Sequence, residues 1–164
     1  MKFLVAGVLL LMSGAGCSVV FEDCSGRGEV YEVDINDCPK EMCTIAVGTT
    51  INITMQFSTN VPADVIKEMV FLVINEVEHD VIARPEPCNA FDEPGCPLKT
   101  GDVRVYRAQA TITNDTPPVK ADLVWILKNE KEDVFACFAT RIHLVNIDRA
   151  VGHPRQRAFR SWTA

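Results

Sequence analysis

The sequence is poor in histidine, in aromatic residues and in positive charge, and two of these shortages exclude a class of function. Three histidines among 164 residues, none next to a cysteine, do not supply the ligand spacing of a zinc centre. A net charge of −6 lacks the Lys/Arg excess that neutralising phosphates requires, so general nucleic-acid binding is excluded. The chain contains no His-Glu-x-x-His, no Gly-x-Ser-x-Gly, no phosphate loop and no dinucleotide fingerprint. No catalytic residue, metal ligand or cofactor is therefore assigned, and the chain is read as a non-enzyme. Long apolar runs are missing too: residues 3–12 reach about half a membrane span. What is present, 48% hydrophobic and 23% charged residues, is the balance of a globular protein, and the length favours a single domain.

The apolar run at the start follows Lys2 and ends in Ser13-Gly14-Ala15-Gly16, which is the form of a signal peptide over residues 1–16, cut between Ala15 and Cys17. Gly14 stands where a lipoprotein signal would have Leu, three positions before Cys17. The mature chain is thus expected to be secreted, residing outside the cell or in the endosome–lysosome lumen. Cysteine use agrees. Setting Cys17 aside leaves Cys24, Cys38, Cys43, Cys88, Cys96 and Cys137, an even set that reads as three disulfides with fifteen connectivities. Cys38 and Cys43 can close a small turn, and Cys88 and Cys96 bracket a loop with Asn89, Asp92, Pro94 and Gly95. The remaining two, Cys24 and Cys137, would tie the first strand to the last. On the chain-entropy account such a link is worth about 4–5 kcal/mol.

The middle of the chain alternates. In residues 50–57, Ile51, Ile53, Met55 and Phe57 share one face, and residues 119–127 place Val119, Ala121, Leu123, Trp125 and Leu127 together. Residues 30–35 alternate as well, and residues 138–144 less cleanly. Period-two patterns with a polar outer face predict antiparallel sheets packed on one side. Residues 69–74 are continuously apolar, so pattern alone leaves their inward parity open. Turn signals at 47–49, 60–62, 100–102 and 114–118 separate six to eight short strands, which predicts a sandwich or small barrel.

Other features are local. Asn52-Ile53-Thr54 and Asn114-Asp115-Thr116 are N-glycosylation sequons, the first on the polar parity of its strand and the second in a turn followed by Pro117. Residues 18–147 hold 21 acidic against 11 basic residues, whereas residues 148–164 hold four Arg against one acid. That end reads as a disordered basic tail, with contact to a membrane surface or an acidic partner as the alternative. His79, between Glu78 and Asp80, reads as a solvated residue of an acidic loop or as a pH sensor at a pocket mouth. His143 is expected at the surface, and Glu130, Glu132 and Asp133 in a solvated hairpin loop.

The cysteine frame and its flanks carry a family resemblance. Phe21-Glu22-Asp23-Cys24, Cys38-Pro39, Cys43, Pro85-Glu86-Pro87-Cys88, Cys96-Pro97-Leu98, Trp125 and Cys137 together resemble the MD-2-related lipid-recognition (ML) family, which includes the Niemann-Pick type C2 proteins and the group 2 mite allergens. The similarity runs from about Phe21 to Val145, within an ML domain spanning residues 17–147. It implies an all-β, immunoglobulin-like sandwich of two antiparallel sheets with an apolar cavity between them. It also implies the pairs Cys24–Cys137, Cys38–Cys43 and Cys88–Cys96, as spacing suggests.

The resemblance gives the inward stripes a meaning beyond core packing. It implies a lipid site lined by Ile35, Ile51, Ile53, Met55, Val70, Leu72, Tyr106, Ala110, Ile112, Pro117, Leu123, Trp125, Phe138 and Ile142. It favours Val70, Leu72 and Ile74 as the inward parity of the ambiguous run. The mouth loop corresponds to residues 77–84, with Ile82 near the position of a family Phe, Thr116 at that of a mouth Tyr and Phe138 at that of a pocket Trp. The mouth thereby loses aromatic area and gains charge. The implied function is a monomeric carrier of a sterol, fatty acid or other hydrophobic small molecule, with transient membrane or receptor contact at delivery. The alternative is an extracellular module that presents a microbial lipid or other amphiphile to a receptor.

Overall fold

The computed structural model describes residues 18–36, 38, 42–92 and 95–146. The expected signal peptide and basic tail lie outside these residues. The alternating stretches form two sheets packed face to face. One contains β1 (Glu22–Asp23), β3 (Cys43–Ala46), β5 (Lys67–Ile74), β6 (Val77–Asp80), β9 (Lys120–Lys128) and β10 (Val134–Val145). The other contains β2 (Gly28–Ile35), β4 (Thr50–Thr59), β7 (Ile82–Arg84) and β8 (Val103–Thr111), in the order β2-β4-β8-β7. A 3-10 turn at Pro87–Asn89 opens the loop between β7 and β8.

The long strands follow their sequence pattern. In β4, Ile51, Ile53, Met55 and Phe57 are buried while Asn52 is exposed. In β9, Ala121, Leu123, Trp125 and Leu127 point inward. The ambiguous apolar run resolves as β5, with Val70, Leu72 and Ile74 buried and Val73 only partly so. β2 departs from simple alternation. A register shift between Val30 and Glu32 buries both Val30 and Val33 and leaves Tyr31 outside, where its hydroxyl donates to Ser58 Oγ at 2.8 Å. A bulge of this kind inserts a residue and re-aims the ones beyond it.

β10 is the spine of the larger sheet. One edge pairs antiparallel with β9; the other is shared end to end by β1, opposite Phe138 and Ala139, and by β3, opposite Ile142 to Val145. β3 runs parallel to β10, so the larger sheet is antiparallel except at this short edge. The three disulfides join Cys24 to Cys137, Cys38 to Cys43 and Cys88 to Cys96.

Candidate functional site

The two inner faces meet in one apolar layer. β2 and β4 bring Ile35, Ile51, Ile53 and Met55; β8 brings Tyr106 and Ala110, with Ile112 just beyond its end; β5 brings Val70 and Leu72; β9 and β10 bring Leu123, Trp125, Phe138 and Ile142. All of these are buried, so the structure gathers them on the two inner faces. Two others lie at the rim. Ile82 is 69% exposed, and Pro117 stands on the surface turn before β9.

Aromatic rings fill this layer in a chain of edge, tilted and stacked contacts. Phe91 meets Tyr106 at 5.2 Å between centroids, Tyr106 meets Trp125 at 6.3 Å, and Trp125 stacks on Phe138 at 6.4 Å. Phe57 links Phe91 to Phe135. Met55, Phe57, Tyr106, Leu123, Trp125, Phe135, Phe138 and Ile142 have 0% exposure, so no water-sized void touches them. Where the resemblance implies an apolar cavity, the space between the sheets is instead occupied by the protein's own side chains, because bulky rings from both faces interlock there.

The two long edges of the sandwich differ. On one edge the sheets are pinned: Gly26 N and Arg27 N both donate to Val134 O, and a Cβ at Gly28 would lie 2.1 Å from Phe135 O and 2.3 Å from Ser58 O. Only glycine allows the backbones to approach this closely. On the other edge the chain itself switches sheets. Residues 77–84, expected as a mouth loop, are instead two short strands, β6 on β5 and β7 on β8. Edge strands with unsatisfied backbone groups on both sheets offer a pairing partner to each half, and the segment uses both. Between them Val81 N donates to Val70 O at 2.9 Å and straps this edge.

A recess flanks the strap on either side. One, about 370 Å³, is lined by Leu72, His79, Val81, Ile112, Thr116 and Pro117 among others. His79 is thus on a strand facing a recess rather than in a loop. The second, about 290 Å³, is lined by Ile66, Glu68, Ala83, Pro85 and neighbours. Below it the Cys88–Cys96 loop lays Phe91 against β8 through an isolated bridge to Tyr106, and Arg107 N donates to Ala90 O at 2.7 Å.

One polar cluster interrupts the apolar layer. Glu68 lies on the inward parity of β5 and accepts a hydrogen bond from the Tyr106 hydroxyl. Burial pushes the Glu68 carboxyl above its ordinary range; the Tyr106 hydroxyl and the Trp125 indole oppose that shift, and Glu86 adds to it. Burial, then the Glu68 contact, pushes the Tyr106 hydroxyl up as well. The Trp125 indole is directed at both and favours their charged forms, yet its Nε1–H falls short of hydrogen-bond geometry with either. Glu68 and Phe91 were not foreseen as site residues. The signal for Glu68 was parity, since it is two residues before Val70. Phe91 had none, because it reaches the core from a loop.

The outer faces mix ion pairs with exposed apolar side chains, Met69 and Val103 among them. Arg107 is paired with Asp92 at 2.9 Å and Arg141 with Asp122 at 3.0 Å. Asn52 is exposed on β4, where Gln109 Nε2 donates to its Oδ1 at 2.9 Å, and Asn114 is exposed in the turn after β8.

The sequence matches the family described as ML domain over residues 18–144. Among curated proteins it is 26% identical over 148 residues to NPC intracellular cholesterol transporter 2 of Canis lupus familiaris, covering 88% of this chain and 99% of that protein. It is 32% identical over 141 residues to mite group 2 allergen Lep d 2 of Lepidoglyphus destructor, covering 84% and 94%. Among solved structures it is similar to a Niemann-Pick type C2 protein from Japanese carpenter ant, with a TM-score of 0.66, 26% identity, and coverage of 77% of this chain and 99% of that one.

Proposed function

Because the chain belongs to the ML domain family, we propose that it is a lipid carrier. It takes a sterol, fatty acid or similar hydrophobic molecule between its sheets, shields it from water and releases it at a membrane or partner protein. No bond is made or broken. The observation that carries this reading is the asymmetry of the sandwich. Two apolar inner faces are pinned along the Gly28 edge and strapped along the other by Val81, with a recess on each side of the strap. The names of the relatives, among them a cholesterol transporter, support a hydrophobic cargo.

Entry is a matter of packing. A hydrocarbon leaving water gains about 25 cal/mol for each Å² of apolar surface buried. A ligand burying about 400 Å² gains roughly 10 kcal/mol gross, less after ordering costs. That gain favours shifting the strapped edge outward and swinging side chains such as Leu72 to new rotamers, while the pinned edge holds the fold. The lining is then the inward set from Ile35 to Ile142, with Ile82 and Pro117 at the rim. The disulfides suit an oxidising compartment, so we place the protein outside the cell or in the endosome–lysosome lumen.

The test is to secrete the protein from eukaryotic cells, extract it with organic solvent and identify co-purified lipids by mass spectrometry. A near-stoichiometric sterol or fatty acid is the expected result and names the cargo. Absence of lipid, together with no rise in melting temperature on adding cholesterol or oleate, would overturn the carrier reading and favour a recognition module with a packed core.

A further inference from the structure

The cluster of Glu68, Tyr106 and Trp125 has a chemistry that core packing does not require, and the role assigned to it rests on the chain being a lipid carrier. A carboxyl on the inner face of a sandwich is costly, and the neighbouring inward positions of β5 carry Val70, Leu72 and Ile74. Trp125 adds a fully buried donor whose Nε1–H has no acceptor. Buried polar groups are normally satisfied, so an orphaned indole N–H beside a carboxyl marks a place where a third group belongs.

We infer that this cluster anchors the polar end of the carried lipid, and that the end it accepts is an uncharged hydroxyl. A hydroxyl oxygen accepts from the Trp125 Nε1–H while its own hydrogen goes to the Glu68 carboxylate, so the head of a lipid alcohol satisfies both and takes the place a water would fill. An ether or ester can accept but has no hydrogen to give. A fatty carboxylate would bring a second negative charge against Glu68, with Glu86 also acting on the site. Lys67, which lines the same recess, is on the outward parity of β5 and is paired with Glu132. The recess of about 290 Å³ bounded by Ile66, Glu68, Ala83 and Pro85 reaches the cluster at Glu68, and the hydroxyl meets Trp125 beyond it as the strapped edge shifts outward.

The test uses the secreted, delipidated protein and displacement of the uncharged fluorescent probe N-phenyl-1-naphthylamine. Competitors are 1-hexadecanol, its methyl ether and hexadecanoate, against wild type, Glu68→Val and Glu68→Gln. Val suits a strand next to Val70, Gln retains an acceptor oxygen for the Tyr106 hydroxyl, and circular dichroism checks that both variants are folded. Hydrogen bonds to charged groups predict that wild type favours the alcohol over the ether by about tenfold or more. Glu68→Val is expected to bring that ratio close to one with ether affinity retained, and Glu68→Gln to keep part of it. Equal affinities for alcohol and ether in wild type, or an unchanged ratio in Glu68→Val, overturn the anchor while leaving a carrier. If neither the probe nor any competitor binds wild type, the carrier reading falls and the anchor falls with it.

Discussion

Replacing Cys24 and Cys137 together with alanine removes the link that closes most of the domain into one loop. The two cysteines are 113 residues apart in sequence, against 5 for Cys38–Cys43 and 8 for Cys88–Cys96. Loop-closure entropy in the unfolded chain grows with the logarithm of that separation. At 25 °C it corresponds to about 4.8, 2.1 and 2.5 kcal/mol for the three links respectively. The native contacts survive the change, because β1 still pairs with β10 and Cys24 N still donates to Cys137 O. Three double-alanine variants should therefore rank by loop length in urea unfolding, with the Cys24/Cys137 variant losing about 2–3 kcal/mol more than either other. For a domain of this size that is a further drop of about 5–15 °C in Tm. Similar losses for all three variants, or a reversed order, would refute the reasoning and assign the stabilisation to native-state enthalpy instead.

Glu68→Gln should change how stability depends on pH. The folded pKa of Glu68 is raised, so between the ordinary value of 4.5 and the raised one the native state holds a proton that the unfolded state releases. This residue therefore costs stability above its folded pKa, and the cost disappears as pH falls. The Tm advantage of Glu68→Gln should be largest near neutrality and shrink on acidification; an advantage independent of pH would contradict the burial argument. Gly28→Ala places a Cβ 2.1 Å from Phe135 O, so the pinned edge must part, at a cost of about 2–3 kcal/mol by chemical denaturation. Secreted protein should lose mass on glycosidase treatment, and Asn52→Gln and Asn114→Gln should each remove one step of it on a gel, since both side chains are exposed.

The regular strands were legible because their information is local. The alternation in β4 and β9 states which side chains point inward, and a strand has no other way to bury Ile51, Ile53 and Met55 at once. Where local pattern carried two meanings, it failed or stayed silent. Residues 30–35 look like plain alternation, yet the bulge at Val30/Glu32 buries Val30 and Val33 alike, because β4 offers an apolar neighbour to each. Residues 77–84 read as a loop because the resemblance sets them against a mouth loop and His79 stands between two acids, and they become strands because β5 and β8 leave open edges on either side.

Sequence alone thus determined the all-β class, the six-cysteine frame and the inward faces of β4 and β9, all properties of spacing along one chain, while the resemblance supplied the rest of the inward set. Tertiary structure decided how far apart the two faces stand, which edge is pinned and which is strapped, and that Glu68, Tyr106 and Trp125 meet. Parity says which way a side chain points but not what it meets. Glu68 and Tyr106 are 38 residues apart, and their contact depends on the packing of two sheets, not on the periodicity of either strand.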